Sequence, residues 1–151
     1  MRSARDFMSG VGSTGDIGRL ATSPAGIGFL LAATGLIVWT GLSIWGGLGS
    51  AEGGLRLREA WDTSAYFTIG IPIMALAVAA ASFVRPRRIW RWPLWLVGGH
   101  QLGVLLVGLG MQSGLSLILL TLILAVLLAA FFAIPAAIGS MAARRLMQRA
   151  Y

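Results

Sequence analysis

One histidine, His100, is the only side chain in the long apolar stretches of this sequence that can exchange a proton near neutral pH. Its neighbours along the chain are Gly98, Gly99 and Gln101. An ionisable residue among apolar ones marks a candidate functional site when hydrocarbon surrounds it. Thr34 occupies a corresponding depth in an earlier apolar stretch, so we predict a hydrogen bond between Thr34 and His100. His100, Gln101 and Thr34 are therefore the candidate binding residues.

Three roles for His100 follow from its chemistry. A ring that bonds to Thr34 or to a backbone carbonyl would hold two helices together. A ring that contacts water would line a route for a proton or a solute. A ring nitrogen could also bind the metal of a haem or another pigment, with Met74, Met111 or the His100 of a second copy as the opposite ligand. We expect no cofactor, and haem or pigment binding through His100 is the alternative.

The combinations of residues that acid–base, nucleophilic and metal catalysis need are missing from the apolar stretches. No acid lies within them, so a Ser–His–acid set cannot form there. The sequence also has no cysteine for thiol, zinc or iron–sulfur chemistry. We therefore expect a protein that is not an enzyme and has neither catalytic residues nor a metal site.

The composition indicates that hydrocarbon surrounds most of the chain. Of 151 residues, 57% are apolar and 11% are charged, whereas a soluble domain has about 25% charged residues. The mean hydropathy is +0.82. Too few polar side chains are present to cover a surface in water, and a disordered chain would be poorer in apolar residues. We predict an all-α integral membrane protein.

Charged residues divide the sequence into segments of membrane-spanning length. Three stretches carry no charge: residues 20–51, 63–84 and 92–143. A spanning helix needs about 20 apolar residues, so the first two stretches hold one helix each and the third, about 78 Å long as a helix, holds two. The polar residues and glycine at 111–114 favour a turn. We predict a transmembrane domain over residues 24–139, between an N-terminal tail of residues 1–23 and a basic segment of residues 140–151, with helices at about 25–47, 64–84, 92–111 and 115–138.

The arginines orient the predicted helices. All twelve basic residues are arginine, and ten of them fall on the side of the N-terminus if the four helices alternate in direction. Arginine accumulates on the cytoplasmic side of membrane proteins. We therefore predict an antiparallel four-helix bundle with both termini in the cytoplasm. Arginine in place of lysine, with abundant alanine and glycine, is typical of a GC-rich bacterial genome, which indicates a bacterial cytoplasmic (inner) membrane.

Arginine and tryptophan gather in the loop between the second and third predicted helices. Indole rings prefer the depth of the lipid headgroups, and arginine side chains reach the headgroups beside them. These arginines flank apolar segments instead of lining one polar face, so we expect no nucleic acid partner. The predicted lipid-interface residues are Arg87, Arg88, Trp90, Arg91, Trp92 and Trp95.

Small residues repeat along the predicted helices at spacings that place them on one face. Helices in hydrocarbon associate where small residues let their backbones approach closely. The predicted packing residues are Gly99, Gly103 and Gly110 in the third helix and Ala125, Ala129 and Ala133 in the fourth. These faces can pack within the chain or against another membrane chain, and the sequence leaves both open.

We expect a non-catalytic accessory or assembly subunit that binds other membrane components. Its partners would be the lipid bilayer and either other membrane protein subunits or further copies of itself. One alternative is a small homo-oligomeric transporter or channel with a route near His100. The other alternative is a haem- or pigment-binding membrane subunit.

Overall fold

The computed structural model describes residues 22–48, 59–110 and 115–149, and the elements in these ranges are all helical. The long helices are α1 (Pro24–Leu48), α2 (Ile71–Val84), α3 (Arg91–Gly110) and α4 (Leu115–Arg149). A 3-10 turn (Ala60–Asp62) and a π-helical turn (Tyr66–Gly70) precede α2. The predicted turn at residues 111–114 and most of the N-terminal tail lie outside the described residues.

Four helical segments are long and apolar enough to cross a membrane: Pro24–Leu48, Tyr66–Val84, Arg91–Leu109 and Leu120–Arg149. The predicted all-α membrane fold with four spanning helices is thereby confirmed. The 35 residues of α4 make a helix about 52 Å long, and a bilayer's hydrocarbon is only about 30 Å thick. The C-terminal turns of α4 therefore extend past the apolar layer, and they carry three arginines.

Local sequence explains how two of the helices begin. The backbone N–H of Gly26 donates a hydrogen bond to Ser23 Oγ at 3.0 Å, so Ser23 caps α1, and Pro24 takes the first helical position. Pro72 lies at the start of α2. Its ring would collide with the carbonyl of Thr68 in a regular α-helix, and the preceding turn is wider than an α-helical turn.

The first and third helices pack closely and run in the same direction. Residues further along α1 contact residues further along α3: Gly28 contacts Trp95, Ala32 contacts Gly99, and Trp39 contacts Gly103. A side chain on Gly99 would collide with the backbone of Ala32. Glycine is therefore needed at Gly99 for the two backbones to approach this closely.

The second and fourth helices form the other close pair. A side chain on Gly139 would collide with the backbone of Ala79, so these helices also meet backbone to backbone. The third helix contacts α4, whereas α1 and α4 share no contact among the described residues. The bundle thus consists of two tight pairs, α1 with α3 and α2 with α4, joined mainly through α3 and α4.

Candidate functional site

His100 lies in the core of the bundle, where 1% of its surface is exposed. Its Nε2 is 2.9 Å from the hydroxyl oxygen of Tyr66, the first residue of the π-helical turn. Trp39 of α1 packs edge-on against both rings, with centroid distances of 4.7 Å to His100 and 5.7 Å to Tyr66. Two other segments of the chain, α1 and the π-helical turn, therefore hold the imidazole ring in place.

The 3-10 turn closes this group of rings on the side of the loop before α2. The Trp61 ring lies edge-on to Trp39 at a centroid distance of 4.9 Å, and Ala60 is fully buried. Trp61 Nε1 donates a hydrogen bond to the carboxylate of Glu59. Trp39, Trp61, Tyr66 and His100 form one packed unit, which we call the aromatic cluster.

Several buried polar atoms in or beside the aromatic cluster have no hydrogen-bond partner among the described residues. They are Trp39 Nε1, Ser43 Oγ, His100 Nδ1 and Gln101 Nε2. A neutral imidazole has one donor and one acceptor nitrogen, so either direction of the Tyr66 bond leaves His100 Nδ1 unused. Each such atom costs about 1–3 kcal/mol of lost hydration. The cluster therefore has spare hydrogen-bonding capacity inside a tightly packed core.

The predicted hydrogen bond between Thr34 and His100 is not formed. Thr34 Oγ1 donates to the backbone carbonyl of Leu30 at 2.8 Å, a common arrangement for threonine within a helix. Tyr66 takes the place of Thr34 as the partner of His100. Of the three predicted binding residues, His100 lies in the core, its chain neighbour Gln101 is half-buried, and Thr34 satisfies its hydroxyl group within its own helix.

Sequence reasoning missed Tyr66 and Trp39, the two residues that position His100. A signal for both was present, because each is an aromatic residue with a polar hydrogen inside a stretch that is otherwise apolar. Such residues find a hydrogen-bond partner when they are buried. The hydroxyl group of Tyr66 has one, whereas Trp39 Nε1 has none among the described residues.

The predicted packing residues lie mainly on faces that are used within the chain. Gly99 and Gly103 both face α1, and a side chain on Gly103 would press on Trp39. Gly110 is the last residue of α3. Ala125 and Ala129 pack against the core, and Ala133 is half-buried.

One glycine of α3 faces away from the bundle. A Cβ atom added to Gly98 would meet nothing within 4 Å. Gly98 lies in a groove of about 460 Å³ between α1 and α3, which we call the Gly98 groove. The groove is lined by Ala32, Arg91, Leu94, Trp95, Gly98 and Leu102, together with Gly99.

A second cleft, of about 610 Å³, lies at the arginine-rich end of the bundle, and we call it the arginine cleft. It is bounded by the loop of residues 85–90 and by the C-terminal turns of α4. Four arginines line it: Arg85, Arg87, Arg88 and Arg91. Three of these, Arg87, Arg88 and Arg91, are predicted lipid-interface residues.

The three predicted interface tryptophans have different surroundings. Trp90 is 69% exposed and Trp95 is 47% exposed, and the Trp95 ring lies on Gly28. Trp92, in contrast, is 3% exposed, and its Nε1 donates to the backbone carbonyl of Arg85 at 3.2 Å. Trp92 is therefore largely covered by the bundle, and it anchors the loop between α2 and α3 from inside.

The fold defines a multi-pass, all-helical membrane protein with four spanning segments. Comparisons with known protein families, with curated proteins and with solved structures find no match. The function is therefore inferred from the packing and chemistry of the described residues.

Proposed function

We propose that this chain is a non-catalytic accessory subunit that binds a transmembrane helix of another membrane protein at the Gly98 groove. The observation that carries the proposal is an outward-facing glycine inside an apolar groove, where a Cβ atom on Gly98 would meet nothing within 4 Å. Lipid tails gain little from a missing side chain, whereas a partner helix gains a close approach of its backbone. Gly98 is the point at which such a helix would cross.

The shape of the Gly98 groove supports a helix as its occupant. Leu94, Gly98 and Leu102 lie at successive steps of four residues, so the groove follows α3 over more than two turns. Trp95 and Ala32 form its sides with apolar surface. An almost entirely apolar groove that follows a helix matches the side-chain ridge of a second helix.

The packed core supports binding over catalysis. The other rings of the aromatic cluster cover His100, so that only 1% of the surface of His100 is exposed. The described residues contain no group of three or more histidine, cysteine or acidic residues that could hold a metal ion. The Gly98 groove and the arginine cleft are lined by other residues, so the surface of the bundle is where we propose that this protein acts.

We propose a bacterial inner-membrane protein with both termini in the cytoplasm, and the distribution of charge supports this orientation. The described arginines lie at the end of the bundle where α2 ends, α3 begins and α4 ends. Glu59 and Asp62, the acids among the described residues, lie at the opposite end, before α2. Pro24, at the start of α1, also lines the arginine cleft, so both termini leave from the arginine-rich side.

Purification of the tagged protein from native membranes in mild detergent tests the proposal. Gly98→Leu fills the groove, and Gly41→Leu is the matched control, because a Cβ atom on Gly41 also meets nothing within 4 Å and Gly41 lies outside the groove. We expect the wild type and Gly41→Leu to retain the same membrane protein in a constant ratio. Gly98→Leu should retain at least about tenfold less of this partner, which corresponds to a loss of about 1.4 kcal/mol in binding free energy. Equal retention by all three, or isolation of the wild type as a homo-oligomer alone, would contradict the proposal.

A second candidate function, a small homo-oligomeric transporter or channel, is favoured by the unused polar atoms beside the aromatic cluster. His100 Nδ1 and Gln101 Nε2 are buried without partners among the described residues. Solute flux into reconstituted vesicles that disappears in His100→Ala would favour this function. A visible absorbance band in the purified protein would instead favour haem or pigment binding.

A further inference from the structure

The arginine cleft combines an apolar floor with a cationic rim. Its floor is formed by Phe83, Val84, Trp92, Leu146 and Met147. The guanidinium groups of the rim carry a permanent charge. The described residues offer them no carboxylate, because Glu59 and Asp62 lie at the opposite end of the bundle. The cleft is therefore complementary to an anionic group attached to an apolar chain.

One rim residue, Arg88, has an unusual backbone conformation. Its backbone is left-handed, with φ of 63°, a conformation that glycine adopts at much lower cost than other residues. The carbonyl of Arg88 accepts a hydrogen bond at 3.1 Å from the N–H of Arg91, the first residue of α3, so Arg88 lies directly before this helix. The chain thus places a guanidinium on the rim where glycine would suit the backbone better.

We propose that the arginine cleft binds one anionic phospholipid. The phosphate lies among Arg87, Arg88 and Arg91, because arginine and phosphate form paired, charge-assisted hydrogen bonds. The acyl chain lies on the apolar floor beside Phe83 and Met147. The volume of about 610 Å³ falls within the range of roughly 300–1,000 Å³ that is typical of ligand sites. The cleft also lies between the end of α2 and the start of α3, two spanning helices.

Two other occupants fit the cleft less well. The N-terminal residues 1–21 contain three arginines and two aspartates, so their net charge gives them no overall attraction to the cationic rim. A free phosphate ion would pair with the rim and leave the apolar floor in water, which is unfavourable. A phospholipid uses both surfaces.

Native mass spectrometry of the full chain in detergent, with added phosphatidylglycerol or phosphatidylcholine, tests the proposal. Arg87→Ala/Arg88→Ala removes two charges from the rim, and Arg144→Ala/Arg145→Ala removes two charges from the same end outside the cleft. We expect one phosphatidylglycerol molecule per chain, with phosphatidylcholine bound about tenfold more weakly. Arg87→Ala/Arg88→Ala should lower the affinity for phosphatidylglycerol by about tenfold. Arg144→Ala/Arg145→Ala should lower this affinity by less than about threefold.

Met147→Trp tests the apolar floor without any change of charge. It should weaken phosphatidylglycerol binding by about tenfold, because the indole ring takes up space that the acyl chain needs. Equal binding of the two lipids, or equal losses in the two arginine variants, would overturn the proposal in favour of diffuse surface attraction. Displacement of the lipid by an equal concentration of inorganic phosphate would reveal a free-anion site instead. If Asp6→Asn/Asp16→Asn raised the affinity for phosphatidylglycerol by about tenfold, the N-terminal residues would be the natural occupant of the cleft, and the proposal would be overturned.

Discussion

The hydroxyl oxygen of Tyr66 and Nε2 of His100 lie 2.9 Å apart in the core of the bundle, joining the π-helical turn to α3. This hydrogen bond links the two tight helix pairs, because Tyr66 leads into α2 and His100 belongs to α3. A polar pair in hydrocarbon has no water to replace a lost partner. We infer that the bond specifies how the α1–α3 pair meets the α2–α4 pair.

Tyr66→Phe should lower the free energy of unfolding by about 1–3 kcal/mol, because it leaves His100 with a second unpaired ring nitrogen. Titration of the folded protein with sodium dodecyl sulfate in mild detergent measures this. His100→Leu and the double variant complete a mutant cycle, in which the double variant should cost clearly less than the sum of the single variants. Additive costs would show that the two side chains do not interact.

Gly99→Ala should destabilise the bundle, whereas Gly98→Ala should not. A Cβ atom on Gly99 collides with the backbone of Ala32, which cannot move without separating α1 from α3, and one on Gly98 enters open space. We expect a loss of about 1–3 kcal/mol in the first variant and a change within about 0.5 kcal/mol in the second. The same detergent titration compares the two. Similar stabilities would mean that α1 and α3 are not in backbone contact.

The positions of the helices could be predicted because a charged side chain is too costly in hydrocarbon. The predicted spans 25–47, 64–84 and 92–111 agree to within one residue with α1, with the helical stretch that ends at Val84, and with α3. The fourth predicted span ends at residue 138, yet α4 continues to Arg149. The charge pattern marks the border of the membrane, and a helix can continue in water beyond it.

The partner of His100 could not be predicted from depth. Counting residues along a helix gives the height of a side chain in the membrane, and the contact depends also on its direction around the axis. Thr34 and His100 were matched by height alone, and Thr34 bonds to Leu30 instead. Tyr66 reaches His100 from a π-helical turn, and hydrophobic periodicity carries no signal for such a turn.

Arg88→Gly should make the protein more stable by about 0.5–1 kcal/mol, because glycine adopts the left-handed conformation of this residue without strain. Arg87→Gly is the matched control. It removes the same charge from the same loop at a residue whose φ is not positive. Among the described residues other than glycine, only Arg88 has a positive φ. The control should show no gain. A thermal melt in detergent, followed by circular dichroism, distinguishes these outcomes, and a loss of stability in Arg88→Gly would contradict the assigned conformation.

Single cysteines at Asp62 and Arg149 should react with an impermeant maleimide from opposite sides of the membrane. The chain has no cysteine of its own, and both side chains are exposed at opposite ends of the bundle. Asp62→Cys should label from the periplasmic side of intact cells and Arg149→Cys only after the inner membrane is opened. Labelling of both cysteines in intact cells would contradict the predicted orientation.

Site-specific photo-crosslinking in native membranes tests the proposed partner helix most directly. A photoreactive residue at Leu94 lies in the Gly98 groove, and one at Ile37, also exposed on a spanning helix, lies outside it. We predict one discrete crosslinked protein from Leu94 and lipid adducts alone from Ile37. A Leu94 probe that yields lipid adducts alone, or the same protein adducts as Ile37, would contradict the proposal that the groove receives a partner helix.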